Sequence, residues 1–276
     1  MYIDPRVAHG KTRFELAEMP ILHGRGRTQD LIASVNRVME GSSRLGSREY
    51  ARRLQRKAIP ELRRMGAVPF VGNESNNTIG GIIGALYFTQ DDRGVQLKRL
   101  VWTAGDRCSH DFLLMRFEPH ALARCMQRNG VLSLPEIALE VNAAAAFALP
   151  LLGAAAAENW TQVGLPTPSG IFVGNLSKGF AVMQTYFCPG QNGRTSRWSG
   201  YREFFKEAVA AVQADTHCGP AIAAVFEAAK VGGGVAARFP FLMDSHEYTP
   251  DPDDTIWDQA RASAARPEDR HIHAVA

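Results

Sequence analysis

Paired cysteines are missing from this chain. Cys108, Cys125, Cys188 and Cys218 stand far apart and none belongs to a CxxC pair. That spacing excludes the disulfide framework of a small secreted domain. No apolar run follows the charges of MYIDPRVAHGKTRFELAEMP, so no signal peptide is expected. A long hydrophobic span is also missing. The best candidate, residues 141–157, has 17 uncharged residues, most of them alanine, and is interrupted by Pro150 and Gly153. It falls short of the roughly 20 apolar residues of a membrane helix and reads as a buried helix and turn. The expectation is a soluble cytoplasmic protein with no membrane partner.

Several catalytic and cofactor signatures are absent as well. The glycine of GNESNN at 72–77 is not followed by GK[ST], and GGIIG is not GxGxxG, which removes the common nucleotide-binding loops. Ser169-Gly170 and Ser199-Gly200 lack the G-x-S-x-G elbow of serine hydrolases. No internal repeat is visible, and no cofactor is expected. Strong charge of one sign is missing too: 31 Lys and Arg stand against 28 Asp and Glu, for a net charge of +3. A balance that mild implies no nucleic-acid partner by itself.

Charge position says more than charge total. From Ser43 to Arg64 there are eight basic residues and two Glu, whereas from Asp244 to Asp269 there are eight acidic residues and two Arg. Residues 1–27 read as an irregular basic arm. A helix is expected from Thr28 to Glu40, with Thr28 as N-cap and Leu31, Ile32, Val35, Val38 and Met39 on one face. GSSRLGS ends it, and Ser47 caps a second helix through Met65 that carries Arg48, Arg52, Arg53, Arg56 and Lys57. Such a helix is either a solvated surface or a phosphate-tracking one, in which Arg52, Arg53, Arg56 and Lys57 bind nucleic acid. Tyr50 is the only aromatic residue among the charges, so base stacking is not suggested on this helix.

The period then changes. Residues 78–90, 96–103 and 111–117 read as three short strands in an antiparallel meander. Next comes FLLMRFEPHALARCMQR, an apolar strand, a proline turn and a helix. His120, Arg124 and Arg128 lie four apart and form one polar row on that helix. Ser133 to Glu136 is a capping box for a further helix to about Leu149, and an Ala-rich connection follows. A hairpin is expected from 171–174 and 180–187, turned at 175–179. Residues 188–200 read as a basic loop, 201–214 and 220–230 as helices, and the chain from about 249 as a poorly ordered acidic tail. The fold expected is α+β, an antiparallel sheet flanked by N-terminal and C-terminal helices. The regions expected are a basic helical one (1–70), an α+β core (71–243) and an acidic flexible tail (244–276).

FEPHALARCMQRNGVLSLPEIALEV, residues 117–141, resembles the strand followed by H-A-x-x-R-x-x-x-R and a second helix of small bacterial RNase-toxin-like domains. Those domains belong to the superfamily that groups barnase, EndoU, colicin-type nucleases and RelE-like toxins. The resemblance covers about residues 112–187. It implies a metal-independent endoribonuclease acting on RNA, as a toxin, effector or defence component. In several such families a later strand supplies a Thr or Ser, and QTYF places Thr185 there. On that reading His120 transfers the proton, Arg124 and Arg128 neutralise the phosphorane-like charge, and Thr185 holds a non-bridging oxygen. The plainer reading is that His120 begins a helix after Pro119 and the arginines are surface residues. The alternative function is a non-enzymatic protein using helix 47–65 for nucleic acid, a protein partner or a second copy of itself.

Two other arrangements are weaker. Cys108 and His110 with His120 and Cys125 supply zinc-type ligands at a non-standard spacing, and two ordinary buried cysteines are the alternative. Adjacent His217 and Cys218 point in different directions on a helix, with no third group to orient them. No metal is expected.

Overall fold

The structure, a computed structural model, describes residues 3–18, 27–42, 44–72, 82–103, 109–177 and 179–188. In chain order these form α1 (Pro5–Glu18), α2 (Arg27–Val38), α3 (Ser47–Arg64), β1 (Val68–Gly72), β2 (Ile82–Asp91), β3 (Gly94–Thr103), β4 (Ser109–Phe117), α4 (Pro119–Asn129), α5 (Ala138–Ala157), β5 (Gln162–Pro166), β6 (Ile171–Ser177) and β7 (Phe180–Phe187). The seven strands make one sheet in the order β1-β2-β3-β4-β7-β6-β5. Every neighbouring pair is antiparallel except β4 and β7. The fold is therefore α+β, and the expected meander is β2-β3-β4.

Alternation along the strands sorts side chains to two faces. Ile83, Ala85, Tyr87, Leu100 and Trp102 meet Leu31 and Val35 of α2 and Leu54, Ala58 and Leu62 of α3. Leu86, Leu97, Met115, Phe117, Ala181, Met183 and Tyr186 meet α4 and α5 on the other face. The N-terminal helices thus build the same core as the strands. The strands begin with β1 at Val68, two residues before the boundary expected at residue 70.

The first residues are a correction. Residues 5–18 form α1 rather than an irregular arm. Asp4 accepts a hydrogen bond from the Arg6 N–H at 2.7 Å, and Pro5 supplies the first helical residue. Its buried seam is narrow, Ala8, Thr12, Glu15 and Leu16, and half of it is polar. The Thr12 hydroxyl bonds its own Ala8 carbonyl and contacts the Met126 sulfur at 3.2 Å. Thr28 does not cap α2 either. The helix begins at Arg27, and the Thr28 hydroxyl lies 2.7 Å from the Tyr87 hydroxyl. Tyr87 in turn donates to Asp111 at 2.7 Å, and Lys98 pairs with the same carboxylate at 3.2 Å. This cluster pins α2 to the sheet, and burial pushes the Tyr87 phenol well up. Gly46, not Ser47, occupies the N-cap of α3.

Two more expectations shift. Ser133 and Glu136 do pair, side chain to side chain, but a 3-10 turn at Pro135–Ile137 precedes the helix. The helix then runs through Pro150 to Ala157, so the Ala-rich connection is mostly α5. No single helix among the described residues is long and apolar enough to cross a membrane. Loop 73–77, the proposed helices at 201–214 and 220–230 and the tail lie outside the described residues, as do Cys108, His217 and Cys218.

Candidate nucleic-acid interface

Strand β4 delivers the chain directly to α4, with Glu118 at the N-cap and Pro119 first in the helix. Leu122, Cys125 and Met126 pack into the sheet core, and Ala123 packs with Ala8 of α1. The helical repeat places His120 and Arg124 on the side away from Leu122 and Cys125. They are nevertheless buried, His120 at 7% and Arg124 at 1% exposure. One Arg124 guanidinium nitrogen donates to the Gln127 side chain at 2.8 Å. Arg128, at the helix end, is half-buried with its guanidinium carbon 5.0 Å from the centre of the Phe187 ring.

Thr185 is not brought to this row. A β-bulge makes Gln184 an extra residue: Gly174 pairs with Met183, and Val173 pairs with Thr185. Gly174 is required there, because a Cβ on it would lie 1.9 Å from the Val182 carbonyl oxygen. The bulge reverses the alternation, so Ala181, Met183 and Tyr186 face α4 and Thr185 faces away.

Tyr186 takes the inward place, in a polar cluster that the sequence reading missed. Its hydroxyl donates to Glu140 of α5 at 3.1 Å and accepts from Asn129 of α4 at 3.5 Å, with the Thr167 hydroxyl at 3.5 Å. Glu140 also accepts the Ser169 N–H at 3.2 Å, and Asn129 reaches the Cys125 sulfur at 3.3 Å. Burial raises both the Tyr186 phenol and the Cys125 thiol. The cluster ties α4, α5 and the β5–β6 turn to β7. Alternation from Ala181 was the available signal, and the bulge reversed it.

The zinc-type arrangement does not assemble either, since His110 and His120 sit at opposite ends of β4. Among the described residues, no group of three or more His, Cys, Asp or Glu side chains gathers as metal ligands would.

On α3 the residues behave differently. Leu54, Ala58 and Leu62, spaced by four, are fully buried against the sheet. Arg48, Arg52, Arg56 and Arg63 fall on the opposite side of the helix and are exposed, and Lys57 and Arg64 are exposed beside them. Arg53 is half-buried, and its guanidinium donates to the Glu40 carbonyl at 3.0 Å. No protein-family model, curated protein or solved structure matches this chain.

Glu61 is one of two acids on α3, and its charge is already engaged. It accepts two bonds from Arg64, at 2.6 and 2.9 Å, and one from Ser34 of α2. The Arg64 bonds, then the Ser34 bond, lower its pKa to about 2. A depressed carboxyl stabilises the fold above its unfolded pKa, and that part is lost as pH falls from about 4.5 towards 2. Arg64 is largely exposed, so solvent screens much of the pairing. Glu61→Gln is expected to flatten the acid limb of the stability curve in urea unfolding below about pH 4.5 and to leave its shape near neutrality unchanged. Parallel acid limbs for the two proteins would remove Glu61 from the acid response.

Proposed function

We propose that this protein binds nucleic acid by its phosphate backbone through the outward face of α3. The observation that carries the reading is the exposed row Arg48, Arg52, Arg56 and Arg63 on a helix whose other side is fixed to the sheet. The row spans roughly 22 Å at about 1.5 Å per residue. Guanidinium groups offer forked donors suited to phosphate oxygens. Neither acid on α3 offsets the row: Glu61 is engaged by Arg64 and Ser34, and Glu49 alone stands beside four arginines. Rigid mounting matters because the helix presents its charges without first having to fold. The endoribonuclease reading has less support, since a buried His120 and Arg124 cannot reach a phosphate without opening α4 and Thr185 faces away from them.

The test is a salt titration of binding to a labelled duplex oligonucleotide. The logarithm of the affinity should fall linearly with the logarithm of salt, by about 0.9 per phosphate engaged. Binding that ignores salt, or no binding at low salt, would sink the proposal.

A further inference from the structure

The sheet face opposite α3 carries a second surface, at the end of β1–β4 away from α4. Two rows cross the four strands there in register. One is Val68, Leu86, Arg99 and Phe112, and the other is Phe70, Gly84, Val101 and His110. Gly84, Leu86 and Val101 on the two middle strands are buried, and the exposed members are Val68 on β1 and His110 and Phe112 on β4. Residues two apart on a strand share a face, so the rows lie side by side. Gly84 makes the surface flat: a Cβ on it would sit 2.1 Å from the tip of the Phe70 ring, so that ring lies across the strand. Phe112 is 43% exposed, Val68 is 52% exposed, and His110 is exposed. The His110 and Phe112 ring centres are 6.2 Å apart and tilted by 33°, and the Arg99 guanidinium carbon lies 5.0 Å from the Phe112 ring centre.

An exposed phenylalanine on β4, beyond the three residues that pair with β7, costs solvation and offers a planar surface. Neither row contains an acid, and both acidic and basic neighbours on these strands, Asp111 and Lys98, pair on the other face. Planar rings with an adjacent guanidinium are the elements that stack unpaired bases and meet the backbone between them. A duplex hides its base faces and has no use for them. We infer that the exposed His110–Phe112 end of β4 binds single-stranded nucleic acid, with bases stacked on Phe112 and His110 and Arg99 meeting the phosphate chain. The inference rests on the nucleic-acid reading above and narrows it to strands with unpaired bases.

The experiment measures affinity of the full chain for labelled oligo-uridylate, oligo-thymidylate and a duplex of equal length. Phe112→Ala should weaken both single strands roughly tenfold and leave the duplex unchanged, because one base stack is lost. Phe112→Tyr keeps a ring and should bind as the parent does. Either sugar supports the inference, and the ratio of the two affinities assigns RNA or DNA. Equal single-strand binding by parent and Phe112→Ala overturns it, as does a parent that binds duplex alone, while the α3 reading survives both results. A parent that binds no nucleic acid removes both readings together. Phe112 is exposed, so an unchanged unfolding midpoint is expected for each variant and confirms that affinity, not folding, was altered.

Discussion

Changing Arg52, Arg56 and Lys57 together to glutamine is expected to lower affinity for duplex nucleic acid by a few hundredfold at about 0.1 M salt. The size follows from counterion release. If each side chain neutralises one phosphate, the salt slope falls by about 2.7, and a fourfold rise in salt then costs the parent roughly 40-fold more affinity than the variant. All three side chains are exposed, so stability should stay within about 0.5 kcal/mol of the parent. Arg53→Gln makes a useful contrast, because its guanidinium already serves the Glu40 carbonyl and should change the slope little. Fluorescence anisotropy across a salt series reads both quantities. A variant with the parent's slope would show that this face does not track phosphates.

Arg124→Ala is expected to cost about 3–5 kcal/mol of unfolding free energy. Arg124 is the largest fully buried side chain among the described residues, and truncating it leaves a void and the Gln127 side-chain oxygen without this donor. Arg124→Met keeps an unbranched apolar stem and should recover part of the loss. Arg128→Ala should cost about 1 kcal/mol or less, since it gives up a stacked and partly hydrated contact with Phe187. Urea unfolding of the three variants separates the cases. A near-neutral Arg124→Ala would return that residue to the surface and to phosphate chemistry.

The elements with a single clear period were legible in the sequence. The α2 seam and the β2-β3-β4 meander follow from apolar spacing and β-branched runs, and α3 was marked by its basic residues. Elements were missed where that spacing is short or mixed. α1 buries Thr12 and Glu15, so no apolar stripe marks it. β1 and β5 are five residues each, and a strand that short carries too few positions to show alternation. α5 continues through Pro150, where a break was expected, because the proline removes only one bond of a long buried helix.

The candidate site divides along the same line. The outward row of α3 was readable because a one-sided amphipathic helix must expose its charged side. The His120 row was readable as a row and misleading as a surface. Spacing gives the relative direction of side chains on a helix, but whether that direction leads to solvent depends on what packs over it. Thr185 was misplaced by one residue of phase, and nothing local in QTYF announces that Gln184 is the extra residue of a bulge. The paired glycine, Gly174, lies on the neighbouring strand.

The one parallel pairing bears on how the chain assembles. β1 to β4 and β5 to β7 are ladders between chain neighbours, which need only short loops to form. The seam between β4 and β7 is three residue pairs, Met115 with Ala181, Arg116 with Val182 and Phe117 with Met183, and all of α4 and α5 lies between its two sides. Closing it must overcome the loop entropy of that whole excursion, with little ladder gained until the helices dock. Sequence separation therefore predicts two local ladders that form early and a seam that closes late. On that expectation the amide hydrogens along the seam are the last to gain protection as the two halves become one sheet.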